Sequence, residues 1–182
     1  MENAFRKPLA LGRAAENALA IPAFCLMTAL AAFVRVPLPF TPVPLTLQTL
    51  AVLLSAAALG RKAVLSQAMY LALGAAGLPV FNGAAGGAAH LLGPTGGYLM
   101  GFAAAAFLAG WAAERAGRSL PLLAASMLLG SAVILAMGAG WLSVLMKLGP
   151  GRALALGVGP FVIGDLAKAG MAGLLAWGWK RR

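Results

Sequence analysis

The chain has 182 residues, 62% of them hydrophobic and only 10% charged, where soluble domains carry about a quarter. Such a composition excludes an ordinary soluble domain and indicates an integral protein of the lipid bilayer. A net charge of +10 would suit nucleic acid in a soluble protein, but here the basic residues lie between apolar segments. Membrane topology accounts for them, so nucleic acid is not an expected partner.

Read in chain order, the sequence offers apolar segments at 14–34, 46–59, 63–77, 97–113, 120–141 and 157–179. They predict an all-α integral membrane protein of six transmembrane helices, with residues 1–182 forming a single transmembrane domain. The basic residues Arg6, Lys7 and Arg13 precede the first segment, yet no small-residue cleavage site follows a short apolar core, so a removed signal peptide is not expected. Cys25 lies within that segment and has no intrachain partner for a disulfide. Ala10, Ala14 and Ala18 repeat at four-residue spacing, a pattern that permits close helix approach.

Between the first and second segments runs the proline-rich stretch "VRVPLPFTPVPLT", which cannot be helical. Thr46 and Gln48 follow, at the start of the second helix and facing the same side, as candidates for a pocket rim or for capping and interhelical bonds. The "GRK" of residues 60–62 separates the second and third segments, and the glycine-rich loop 78–96 follows the third. This loop lacks the G-x-x-x-x-G-K-[ST] pattern of a phosphate cradle, so the chain itself is not expected to hydrolyse ATP. Its Asn82, together with Tyr98 just beyond it, offers directional hydrogen bonds to a small polar ligand. His90 is the only histidine, with no Cys, Asp or Glu at ligand spacing, so no metal is expected. Trp111, Trp141, Trp177 and Trp179 fall near segment ends, as an interfacial belt requires.

The last segment contains "GDLAK", with Asp165, the only aspartate, and Lys168 on one helical face. A helix starting near 157 puts these residues about 12 Å and 17 Å below the membrane boundary. A charge at the centre of a span costs about 2.5 to 3.5 kcal/mol on insertion scales, so lipid exposure is excluded. Two roles remain open: an internal ion pair that ties helices together, or a pair of ligand contacts. Catalysis by Asp165 needs a second group, and Glu2, Glu16 and Glu114 are expected on the opposite side, so an intramembrane enzyme is the weaker reading.

Orientation follows from Lys and Arg. With an even number of spans, Arg6, Lys7, Arg13, Arg61, Lys62, Arg115, Arg118, Lys180, Arg181 and Arg182 share one side, against Arg35, Lys147 and Arg152. That asymmetry predicts both termini in the cytoplasm, which sets loops 35–45 and 78–96 on the outer face.

Four ordered blocks, "VPLPFTPVPLTLQTLAVLL" (36–54), "LGAAGLPVFNG" (73–83), "LLGPTGGYLMGF" (91–102) and "GDLAK" (164–168), resemble the biotin-specific substrate-binding subunit, or S component, of energy-coupling-factor (ECF) transporters, the BioY family. The resemblance implies a six-helix S-component bundle in a prokaryotic plasma membrane. Such a bundle captures biotin from outside and works with a transmembrane coupling subunit and ABC-type ATPases, with no cofactor. It further implies that Asn82, Asp165 and Lys168 contact the ligand, with Tyr98 as a wall or hydrogen-bonding residue. The alanine spacing of the first helix resembles the face on which S components dock. An S component for a different vitamin is the alternative.

Overall fold

The computed structural model describes the backbone of residues 9–181 and the side chains of residues 18–181. The expectations for Glu2, Arg6, Lys7, Ala10, Arg13, Ala14, Glu16 and Arg182 therefore fall outside the described side chains. The longer helices are α1 (Leu9–Ala31), α2 (Gln48–Leu59), α3 (Ala63–Ala75), α5 (Gly96–Arg115), α6 (Leu120–Leu145) and α8 (Val162–Arg181), with short helices α4 (Ala88–Leu91) and α7 (Pro150–Gly157) between them. Each apolar segment read from the sequence overlaps one of the longer helices.

By length and hydropathy, Gly96–Arg115 and Leu120–Leu145 suffice to cross a membrane, and so does the run Gln48–Ala75. That run is nevertheless not one rod. In a continuous helix Gln48 and Tyr70 would stand about 33 Å apart, yet the Gln48 Nε2 donates to Tyr70 Oη at 2.6 Å. Likewise Gln67 Nε2 reaches Ser55 Oγ at 3.3 Å. The chain reverses at Gly60, whose φ of 60° and ψ of −145° lie where a side chain is strained. A 3₁₀ turn over Gly60–Lys62 completes the hairpin of α2 and α3.

This turn gathers the basic end of the bundle. Arg61 Nε pairs with Glu114 Oε2 at 3.2 Å, Arg61 N–H donates to Glu114 Oε1 at 2.9 Å, and Lys180 Nζ donates to the Ala113 carbonyl at 2.6 Å. The hairpin turn and the C-terminal ends of α5 and α8 are thus neighbours. At the opposite end lie the proline-rich stretch, the glycine-rich loop and α7.

Two features of that opposite end differ from the sequence reading. The proline-rich stretch carries a two-stranded antiparallel ladder, β1 (Arg35–Val36) with β2 (Leu45–Thr46), in which Arg35 is opposite Thr46. The prolines between them lack N–H donors, which keeps the strands to two residues each. The last helix does not start near 157. It is broken into α7 and α8, bent by 56° to each other. Pro160 cannot donate and its ring collides with the carbonyl four residues back, Leu156. The Leu156 carbonyl instead accepts from Thr41 Oγ1 at 3.0 Å, which ties the proline-rich loop to the break.

Candidate functional site

The break determines where the charges sit. Asp165 lies in the first turn of α8, rather than two turns inside a helix starting at 157. There the amide dipoles of the helix N-terminus favour a carboxylate. The residue is 4% exposed. Lys168 is one turn further along, and its Nζ is 3.0 Å from Asp165 Oδ1.

The ammonium group has three N–H donors. They go to Asp165 Oδ1 at 3.0 Å, Thr49 Oγ1 at 2.9 Å and the Thr46 carbonyl at 2.8 Å. Thr49 in turn donates its single hydroxyl proton to Asp165 Oδ1 at 3.2 Å. Two consequences follow. Lys168 reaches an anionic ligand only by giving up a present partner. Asp165 Oδ2, by contrast, receives no donor among the described residues and remains available as an acceptor.

Gln48 is buried and occupied on both sides: it donates to Tyr70 Oη, and its Oε1 accepts from Thr46 Oγ1 at 3.4 Å. Tyr70 passes the link onward by donating to the Val80 carbonyl at 3.2 Å. Two residues later comes Asn82, whose Oδ1 accepts from Arg35 Nη1 at 3.3 Å. A polar chain therefore runs from α2 through α3 into the glycine-rich loop, and Arg35 joins that loop to the β ladder. Phe81 anchors the loop in the core, with its ring edge-on to Tyr70 at 5.5 Å and stacked on His90 at 5.2 Å.

Tyr98 sits in the first turn of α5 and donates to the Gly157 carbonyl at 2.6 Å. Its hydroxyl is committed to the end of α7, so toward the pocket Tyr98 is a wall. The ring fits only because position 138 on α6 is glycine, since a Cβ there would fall inside it. His90 makes a hydrogen bond within the loop, 3.3 Å between Nε2 and Thr95 Oγ1. Partial burial lowers its pKa below the ordinary 6.5.

These residues surround one pocket with about 530 Å³ of atom-free space, part of it open to the outside. Thr46, Gln48, Asn82, Tyr98, Asp165 and Lys168, all singled out from the sequence, line it. So do Thr49, His90, Thr95 and Phe161, which the sequence reading did not assign to it. Thr49 had a legible signal: a hydroxyl one helical turn past Thr46 at the start of an apolar run. Phe161 had none, because its place depends on the break before α8. Among the described residues no group of His, Cys, Asp and Glu could hold a metal ion.

Fold and pocket define a class: a helical membrane protein that encloses a largely apolar pocket, with a few polar side chains and a buried carboxylate, between its loops at one end. The BioY family profile matches residues 3–182, and the chain belongs to that family. It is 45% identical over 136 residues to the probable biotin transporter BioY of Pyrococcus horikoshii, covering 74% of this chain and 79% of that one. To the biotin transporter BioY of Thermotoga maritima it is 44% identical over 142 residues, 78% and 83% of the two chains. The crystal structure of the S-component for biotin from an ECF-type ABC transporter superposes with a TM-score of 0.87, at 26% identity and 94% coverage of both chains.

Proposed function

We propose that this chain is the biotin-binding uptake subunit of an ECF-type vitamin transporter. The observation that carries the reading is the buried Asp165, fixed through Oδ1 by Lys168 and Thr49 while Oδ2 is left without a donor among the described residues. A ureido ring brings two N–H donors and a carbonyl acceptor, which suit a carboxylate oxygen and an amide side chain such as that of Asn82. The names of the relatives and of the superposed S component point to the same ligand. In this reading Asn82, Asp165 and Lys168 meet biotin, Thr46 and Gln48 form the rim, and Tyr98 is a wall. Arrival of the carboxylate end of biotin at Lys168 displaces one of its three present partners.

The chain works as a transport subunit rather than an enzyme, and the energy comes from ABC-type ATPases joined through a transmembrane coupling subunit. It spans the plasma membrane of a prokaryote six times, with the basic end and both termini in the cytoplasm and the pocket facing out. Isothermal calorimetry of the purified chain with biotin, beside thiamine, riboflavin and folate, tests the ligand. Binding of another vitamin in preference to biotin moves the chain to a different S-component specificity. Single-cysteine labelling on a background with Cys25 replaced tests the orientation: position 87 is expected to react from outside and position 117 only from inside.

A further inference from the structure

Away from the pocket, α5 and α6 enclose a second concavity near the basic end, lined by Trp111, Ala112, Arg115, Ala125, Leu122 and Leu129 among others. The alanines make a shallow floor, while Trp111, Leu122 and Leu129 stand out as walls, 39%, 55% and 42% exposed. Only 33% of the most apolar stretch of α6 is buried within the protein, so this flank is left to a hydrophobic surrounding.

A cation stands at the mouth of the groove. The Arg115 guanidinium lies 3.8 Å over the Trp111 ring, and its Nη1 donates to the Trp111 carbonyl at 3.3 Å. Stacking and hydrogen bond fix the group in place and leave most of its five N–H donors unspent. Arg118 follows in the turn to α6. Among the described residues neither arginine has a carboxylate partner, because the nearby Glu114 is taken by Arg61. A preset guanidinium beside an apolar groove, where two long apolar helices end, matches a phosphodiester headgroup with an acyl chain attached.

We infer that the α5–α6 groove binds an anionic phospholipid, with the phosphate at Arg115 and Arg118 and one acyl chain along Ala112 and Ala125. This site is separate from the vitamin pocket and does not rest on the reading of that pocket. A zwitterionic lipid offers the same chain but a compensated headgroup, so charge is what the groove selects.

Native mass spectrometry of the full chain, released from nanodiscs of equal phosphatidylglycerol and phosphatidylcholine, reads the selection directly. One retained phosphatidylglycerol is expected, with a preference of about fivefold for each arginine engaged. Arg115→Gln with Arg118→Gln should abolish that preference, while Arg61→Gln, whose partner is Glu114, should leave it intact. Ala125→Leu fills the groove and should lose the retained lipid with both arginines present, which carries the test if the arginine variant fails to fold. Equal retention of the two lipids, or a preference that survives the double substitution, overturns the proposal. So does Ala125→Cys, on a background with Cys25 replaced, if it is shielded from thiol reagents only when partner subunits are coexpressed, since the groove is then a protein interface.

Discussion

Two clusters of polar side chains are buried in this helical bundle, and they are built on opposite principles. At the sealed one, Gln67 Nε2 lies 3.2 to 3.3 Å from the hydroxyls of Thr28, Ser55 and Ser66. Each hydroxyl donates its own proton to a carbonyl three or four residues back in its helix. The hydroxyl oxygens are therefore acceptors, which fixes the amide with its nitrogen toward them and leaves Gln67 Oε1 buried without a partner among the described residues. Nothing there carries charge, and the cluster joins α1, α2 and α3. The other cluster, Asp165 with Lys168, Thr49 and Thr46, is charged, joins α2 to α8, and opens into a pocket. Burial of polar atoms inside a membrane bundle does not by itself mark a ligand site. What distinguishes the second cluster is an acceptor facing accessible space on a group held rigid by its other oxygen.

The sharpest test of that contrast is Lys168→Met. Removing one partner of a buried pair costs about 3 to 5 kcal/mol, because the other charge is left uncompensated. The melting temperature in detergent should fall steeply and biotin binding should be lost. A variant that melts like the wild type would show that the pair is not a buried one.

Asp165→Asn keeps the shape but can turn an N–H toward the ligand's own N–H groups, and a mispaired buried contact costs about 1 to 3 kcal/mol. Biotin affinity should drop about tenfold or more by calorimetry below the melting temperature, which should itself fall because the Lys168 ammonium loses its counter-charge. Unchanged affinity in a folded protein would make this cluster as purely structural as the sealed one. Thr49→Val removes the bridging hydroxyl without changing volume. It should cost about 1 kcal/mol of binding, roughly a fivefold loss.

Gln67→Leu examines the other side of the comparison. It loses the amide contacts but also the orphan Oε1, so stability should change by about 1 kcal/mol or less and affinity not at all. A large affinity loss would join the two clusters into one functional unit.

The smallest effect concerns pH. Burial lowers the pKa of His90 below 6.5, so the fold favours the neutral ring. Its contribution to stability is present in full above about 6.5 and is lost as pH falls through the lowered folded value. The melting temperature should decline on acidification across that window, and His90→Gln should remove this part of the decline.

The sequence disclosed what depends on composition and spacing. Continuous apolar runs located α5 and α6 closely, and scarcity of charge made Asp165 and Lys168 stand out. It concealed what depends on contact between distant segments. Gly159 and Pro160 stand at the break before α8, but its consequence, Asp165 in a first turn, depends on where α7 ends against Tyr98 and Thr41. Thr49 was passed over because a threonine in an apolar run more often bonds its own helix than a lysine on another. The six candidate contacts were nevertheless found to line one pocket, since a membrane interior makes each polar side chain conspicuous.

The hairpin of α2 and α3 has a consequence for the surrounding lipid. Its arms, of 12 and 13 residues, are about 18 to 20 Å long, against a hydrocarbon core of about 30 Å. The turn between them carries the exposed Arg61 and Lys62, which resist being drawn into hydrocarbon. Were each arm a span, flanking loop residues would have to make up the missing depth, or the bilayer would have to thin along this flank, at a cost of a fraction of a kcal/mol for each ångström of mismatch. Gln48 and Thr49 stand at the far end of one arm, so the forces that set membrane thickness also act on two residues of the pocket. Under that condition acyl chain length in the host membrane would bear on the geometry of the site.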